Sequence, residues 1–266
     1  MKKKLRLICF HAFFIMSIFS CNNNELDYSY QATTSFQEKL ECMNMDRPSD
    51  SYNYPIYPLM DKWREFQSKE EMKKACVVPM KQLQKMSTQA IIQAFWEYPF
   101  FIEYMLREDH WQEDFEFNID ENSYNVLKSR EDAGHQLLER YRVMPSMCKS
   151  ILYPKAFEIL FSQSPFLSQL SAVEKKEVIQ LAFEKDSLRQ EHPEHAGSLS
   201  RVITWFFIGR VMHNAKYAPF MNLYNKNENL KIFLETSFFD RRIGWYYEET
   251  IPMFENIITC GVEFIK

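Results

Sequence analysis

The sequence reads as an all-α protein, an irregular multi-helix bundle or helical stack, and two observations carry that reading. Its 266 residues include only five glycines, Gly134, Gly197, Gly209, Gly244 and Gly261, no two of them close together. Doubly wound and sandwich folds need residues with positive φ at many corners, so this scarcity argues against both. The second observation is a recurring pattern of helix-capping residues followed by apolar residues at helical spacing. The last part, 226–266, departs from that pattern and is open between a small β segment and an irregular one.

The first residues are of a different kind. Lys2, Lys3, Lys4 and Arg6 precede an apolar stretch over 7–19, which ends in Ser20-Cys21. This is the three-part layout of a secretory signal, so 1–20 is read as a signal peptide. A spanning helix needs about 20 predominantly apolar residues, and Asn22, Asn23, Asn24 and Glu25 follow Cys21 at once. Ile18-Phe19-Ser20-Cys21 resembles the lipobox of bacterial lipoproteins, which implies cleavage before Cys21 and acylation of its thiol. Plain secretion and an uncleaved anchor are the alternatives. Several acyl chains on one cysteine would hold the chain at a membrane where a single chain holds only marginally.

Losing 1–20 removes four of the 32 basic residues and none of the 36 acidic ones, leaving 28 against 36 and a formal charge of −8. That balance argues against a nucleic-acid partner. The full sequence is 46% apolar, and the chain left after 1–20 still has ample material for a core. No two glycines stand close enough to make a phosphate-cradling loop. Cys42, Cys76, Cys148 and Cys260 remain after Cys9 and Cys21 are set aside, and none forms a CxxC pair. Two disulfides with three connectivities are open to them. Buried free thiols are the simpler reading in so large a core.

Residues 21–58 read as a polar, Tyr-rich tether, with a short helix around 36–43. It ends in Tyr54-Pro55-Ile56-Tyr57-Pro58, where each proline favours extended backbone before it. The helical core domain spans 59–225. Ser68 caps a helix to about residue 76, Pro79 suits the first turn of another ending near 86, and Ser87 caps a strongly apolar helix with Ile91, Ile92, Ala94, Phe95 and Trp96. Pro99 breaks or kinks that run before 100–106 continues it. The acidic stretch 108–122 shows no clear period and reads as an exposed connection. Helices resume over about 121–128, 131–142 and around 155–161.

Ser171 with Glu174 forms the S-x-x-E capping box of a helix to about 189, whose apolar face is wide enough for two neighbours. The helix over 198–213 carries Val202, Ile203, Trp205, Phe206, Phe207, Ile208, Val211 and Met212, is apolar on most sides, and is placed at the centre of the core. Arg201 and Arg210 bracket an apolar run too short to span a membrane. Beyond 225 the segment 226–266 reads as aromatic-rich chain packed on the core, with Trp245-Tyr246-Tyr247, Ile257-Ile258-Thr259 and Val262-Glu263-Phe264 as short strands or an irregular tail.

Five stretches carry a resemblance. They are Glu71-Met72-Lys73-Lys74-Ala75-Cys76-Val77-Val78-Pro79, Met86-Ser87-Thr88-Gln89-Ala90, Tyr98-Pro99-Phe100, Lys128-Ser129-Arg130-Glu131-Asp132-Ala133 and Phe166-Leu167-Ser168-Gln169-Leu170. Over about 55–215 the chain resembles a group of mostly helical lipoproteins from Bacteroides-type gut bacteria. The matched positions are caps, prolines and core residues. The resemblance therefore implies a helical fold and an envelope setting, and supplies no catalytic residues.

Candidate chemistry is sparse. His192-Pro193-Glu194-His195 sets two imidazoles three residues apart, with His213 on the following helix as a third metal candidate. Zinc needs three or four convergent ligands, and Pro193 forbids an ordinary helical HExxH geometry, so the plain reading is a polar loop with no metal or other cofactor. Asn118, Asp120 and Asn122 alternate like the start of a calcium loop, but Ser123 stands where such a loop needs glycine. Arg210 and His213 share one edge of their helix, and Arg210 is expected to meet a carboxylate inside the fold. Trp245, Tyr246 and Tyr247 are the ligand-binding candidates, since three consecutive rings cannot all face one interior and an exposed ring stacks on a sugar or a protein partner.

The reading that follows is a non-enzymatic binding or accessory module, lipid-anchored in the cell envelope, with the outer membrane as the expected site. Its partners are the membrane through Cys21 and an envelope protein or glycan. The alternatives are a metal-dependent hydrolase around His192 and His195 and a glycan-binding lipoprotein using the C-terminal aromatics.

Overall fold

A computed structural model describes residues 47–58, 60–101, 111–146, 152–191, 198–237 and 250–266. Cys21, Cys42, Cys148, His192, His195, Trp245, Tyr246 and Tyr247 lie outside the described residues, as does most of 100–106. The architecture is all-α, and there is no strand among the described residues.

Local sequence sets most helix starts. Ser68 accepts from the Glu71 N–H and opens α1 (Lys69–Ala75), Pro79 precedes α2 (Met80–Leu83), and Ser87 accepts from the Ala90 N–H at the start of α3 (Thr88–Glu97). Each polar cap satisfies an amide that has no partner inside the helix. α3 ends two residues before Pro99, and nearly all of it is buried. Then come α4 (Trp111–Asn118), α5 (Glu121–Ser129), α6 (Ala133–Val143), α7 (Leu152–Phe161) and the short α8 (Ser164–Leu167). α9 (Ala172–Gln190) begins with the full capping box of Ser171 and Glu174. α10 (Ser198–Asn214), α11 (Ala218–Lys226), α12 (Glu228–Thr236) and α13 (Thr250–Ile265) complete the chain.

α10 is the hub, packing on α7, α8, α9, α11, α12 and α13. Phe206, Phe207, Ile208, Val211 and Met212 have no exposed surface, which is what a helix apolar on most sides requires. A run of ring contacts crosses the core through it. Trp96 meets Phe157 at 5.7 Å, Phe157 stacks on Tyr141 at 6.1 Å, and Tyr141 meets Phe207 at 5.6 Å. Phe206 meets Trp111 at 6.0 Å and Phe233 at 5.6 Å, and Phe233 meets Phe254 at 5.4 Å. Offset and edge-on pairs of this kind add about 0.5–1.5 kcal/mol each beyond burial.

Three segments differ from the sequence reading. The stretch read as an exposed acidic connection contains α4, with Trp111 and Phe115 buried at 0% and 1% exposure. Those two rings, at i and i+4, share one helical face, and two apolar positions are too few to reveal a period. The residues read as short strands at 257–259 and 262–264 are helical in α13. There Met253, Phe254, Ile257 and Gly261 face the core at helical spacing, and this packing overrides the strand preference of Ile257-Ile258-Thr259. A side chain on Gly261 would meet Phe183 at 2.9 Å and Ile208 at 3.1 Å, so the missing Cβ lets α13 approach both α9 and α10.

The third difference is at the end of the tether. Residues 47–58 contain no helix and include turns at 49–50 and 58, and they lie on the core. Tyr54 is buried and its hydroxyl donates to the Ala94 carbonyl in the last turn of α3, while Asp50 accepts from the Ser87 N–H at the start of α3. Both ends of α3 are thus covered by the chain that precedes the core.

Candidate functional site

Within the apolar packing of α6, α7, α9 and α10 lies a cluster of charged and hydroxyl groups with almost no solvent exposure. Lys155 is 1% exposed, and Glu158, Arg189, Thr204 and Tyr141 are 0% exposed. Lys155 and Glu158 lie three residues apart on α7, so they share one face and pair at 3.2 Å. From α9, Arg189 reaches the same carboxylate at 3.2 Å. Thr204 of α10 donates to Glu158 Oε2 at 3.0 Å, and Tyr141 of α6 donates to Oε1 at 3.1 Å. Glu158 therefore accepts from four groups on four helices. Thr204 Oγ1 in turn accepts from Lys155 Nζ and, at 3.2 Å, from Arg189.

The electrostatics follow from this geometry. Burial alone would raise the Glu158 carboxyl, but Lys155 and Arg189, helped by the bonds from Lys155 and Thr204, hold it below the usual range. Burial lowers Lys155 to about 8, and the nearby Arg189 charge adds to that against the opposing pull of Glu158 and Asp186. The Tyr141 hydroxyl is pushed well above its ordinary value by burial and then by Glu158. Removing one member of such a set leaves an unmatched buried charge and costs about 3–5 kcal/mol, whereas replacing the set by apolar residues is often neutral. Sealed from solvent in this conformation, the cluster ties four helices together.

A second polar cluster joins the chain ahead of the core to α3 and α6. Arg47 pairs with Glu97 through Nε at 2.6 Å and through its terminal nitrogen at 3.0 Å. Gln93 donates to the same Glu97 at 2.9 Å and accepts from Arg140, whose guanidinium burial lowers to about 10.

The sequence candidates are dispersed. The Asn118, Asp120, Asn122 alternation is not a calcium loop: Asp120 caps α5, accepting from the Asn122 N–H through Oδ1 and from the Val78 N–H and the Ser123 hydroxyl through Oδ2. Arg210 donates to the carbonyls of Ser162 and Leu234, at 3.3 and 3.0 Å. Beside it His213 lies 4.6 Å from the Tyr224 ring, and burial followed by Arg210 lowers its pKa. Among the described residues no group of three His, Cys, Asp or Glu side chains is arranged to hold a metal, and Cys76 and Cys260 are free thiols. Nor is any helix among them long and apolar enough to cross a membrane.

The sequence reading passed over Lys155, Glu158, Arg189 and Thr204. One signal was present. Lys155 and Glu158 interrupt an otherwise apolar run from Leu152 to Phe161, and two charges inside a helix buried all round require partners. Comparison of the chain with family models, with curated proteins and with solved structures finds no match in any of the three.

Proposed function

We propose that this chain is a lipoprotein of the cell envelope, held at the membrane, in the outer membrane by preference, by acylated Cys21. Its helical domain serves as a binding or accessory module and not as an enzyme. The observation that carries the reading is the N-terminal layout of Lys2, Lys3, Lys4 and Arg6, the apolar stretch 7–19 and Ser20-Cys21. The core gives secondary support. Lys155 and Glu158, charged groups that could move a proton, are committed to holding helices together at 1% and 0% exposure.

In-cell cross-linking of the membrane-held protein tests the module reading. It should yield a defined adduct with one envelope protein or with an envelope glycan, and the second outcome points to Trp245, Tyr246 and Tyr247. A metal-dependent hydrolytic activity lost on His195→Ala would contradict the reading and transfer the function to His192 and His195.

A further inference from the structure

Glu158 is one buried carboxylate facing two buried cations, Lys155 at 3.2 Å and Arg189 at 3.2 Å. The second carboxylate of the neighbourhood, Asp186 on α9, stands 3.9 Å from Arg189, beyond hydrogen-bonding distance, and 3.7 Å from Arg201. Asp186 is therefore divided between two guanidiniums and offsets the surplus cation only in part. The charged groups that act on Lys155 are Glu158 on its own helix and Arg189 and Asp186 on α9. Tyr141 from α6 and Thr204 from α10 contribute hydroxyls only. Arginine keeps its proton at any pH a protein survives, so Lys155 is the cation that can yield.

We propose that Lys155, Glu158, Arg189 and Thr204 form a proton-controlled lock between α7, α9 and α10, tightened when Lys155 gives its proton to solvent and leaves one guanidinium matched to one carboxylate. The hydrogen bonds survive this change, because a neutral amine still donates to Thr204 and Glu158. Lys155 titrates at about 8 in the folded chain and at the ordinary 10.5 when unfolded. Between those values the unfolded chain binds more protons, so stability rises with pH. Lys185 and Lys175, which burial also lowers, act in the same direction, whereas Cys76, whose thiol burial raises to about 12, opposes it above pH 9.

Equilibrium urea unfolding of the full mature chain tests the lock. The unfolding constant of the wild-type protein should fall about tenfold between pH 7 and pH 9. Lys155→Met, and Lys155→Arg with its fixed charge, should lose most of that dependence. Lys185, which burial lowers in the same direction, remains in both variants and serves as the internal control. Should neither variant fold, titration of the Lys155 ε-carbon by NMR in the wild-type chain decides, with a midpoint near 8 expected. A midpoint above 10, or the same tenfold change in both variants, overturns the proposal.

Discussion

Gly134→Ala should destabilise this protein, although in most helices the same change is favourable. Gly134 lies in the first turn of α6, where α8 crosses it. A Cβ there would stand 2.3 Å from the Phe166 carbonyl oxygen and 3.1 Å from Gln169 Cβ. Carbon and carbonyl oxygen approach to about 3.3 Å, so α6 and α8 would have to part by about 1 Å. The Phe166 oxygen belongs to backbone and cannot turn aside. Alanine gains up to about 1 kcal/mol in helix propensity. Against that stands overpacking of about 1–3 kcal/mol. The Gly134 N–H also donates to Gln169 Oε1 at 2.6 Å, and Gln169 Nε2 donates to the Arg130 carbonyl at 2.9 Å. Straining that pair loses about 1 kcal/mol more. The net expectation is a loss of about 1–3 kcal/mol, which for a chain of this size lowers the Tm by about 2–12 °C. Urea and thermal unfolding followed at 222 nm measure it, and an unchanged or raised Tm would refute the close approach of α6 to α8.

Phe206→Ala and Phe207→Ala should each cost about 3–5 kcal/mol in urea unfolding, since both rings are fully buried, and values near zero for both would remove α10 from the centre of the core. Ser171→Ala should cost about 0.5–2 kcal/mol by opening the capping box. The Ser171 hydroxyl and amide, with His135, hold the Glu174 carboxyl down at about 2. Its contribution is therefore present above about pH 4.5 and lost as pH falls toward 2, so the cost of Ser171→Ala should shrink over that window. Trp245→Ala and Tyr246→Ala should lower the Tm if those rings cover apolar core surface, whereas an unchanged Tm with lost glycan or protein binding would make them a recognition surface.

What could be read from the sequence was what neighbours in sequence determine. Ser68, Ser87 and Ser171 each satisfy an amide three residues away, so these helix starts needed no tertiary information. The hub position of α10 was legible because a helix apolar on most sides has to be surrounded. α4 was hidden because its buried face is short. α13 was misread because β-branched residues at 257–259 imitate a strand until a partner surface selects the 3.6-residue period. The charged cluster was not legible for a different reason. Glu158 meets Arg189 across 31 residues and Thr204 across 46, and Arg47 meets Glu97 across 50. A lone buried charge announces that a partner exists without saying which.

The anchoring of the chain can be decided by mass spectrometry of its amino-terminal peptide, taken from protein extracted from native membranes. Acylated Cys21 as the first residue is the expected result, with Cys21→Ala leaving the chain unacylated and no longer held by lipid. An amino terminus at any other residue, or Cys21 recovered as a free thiol, would contradict it.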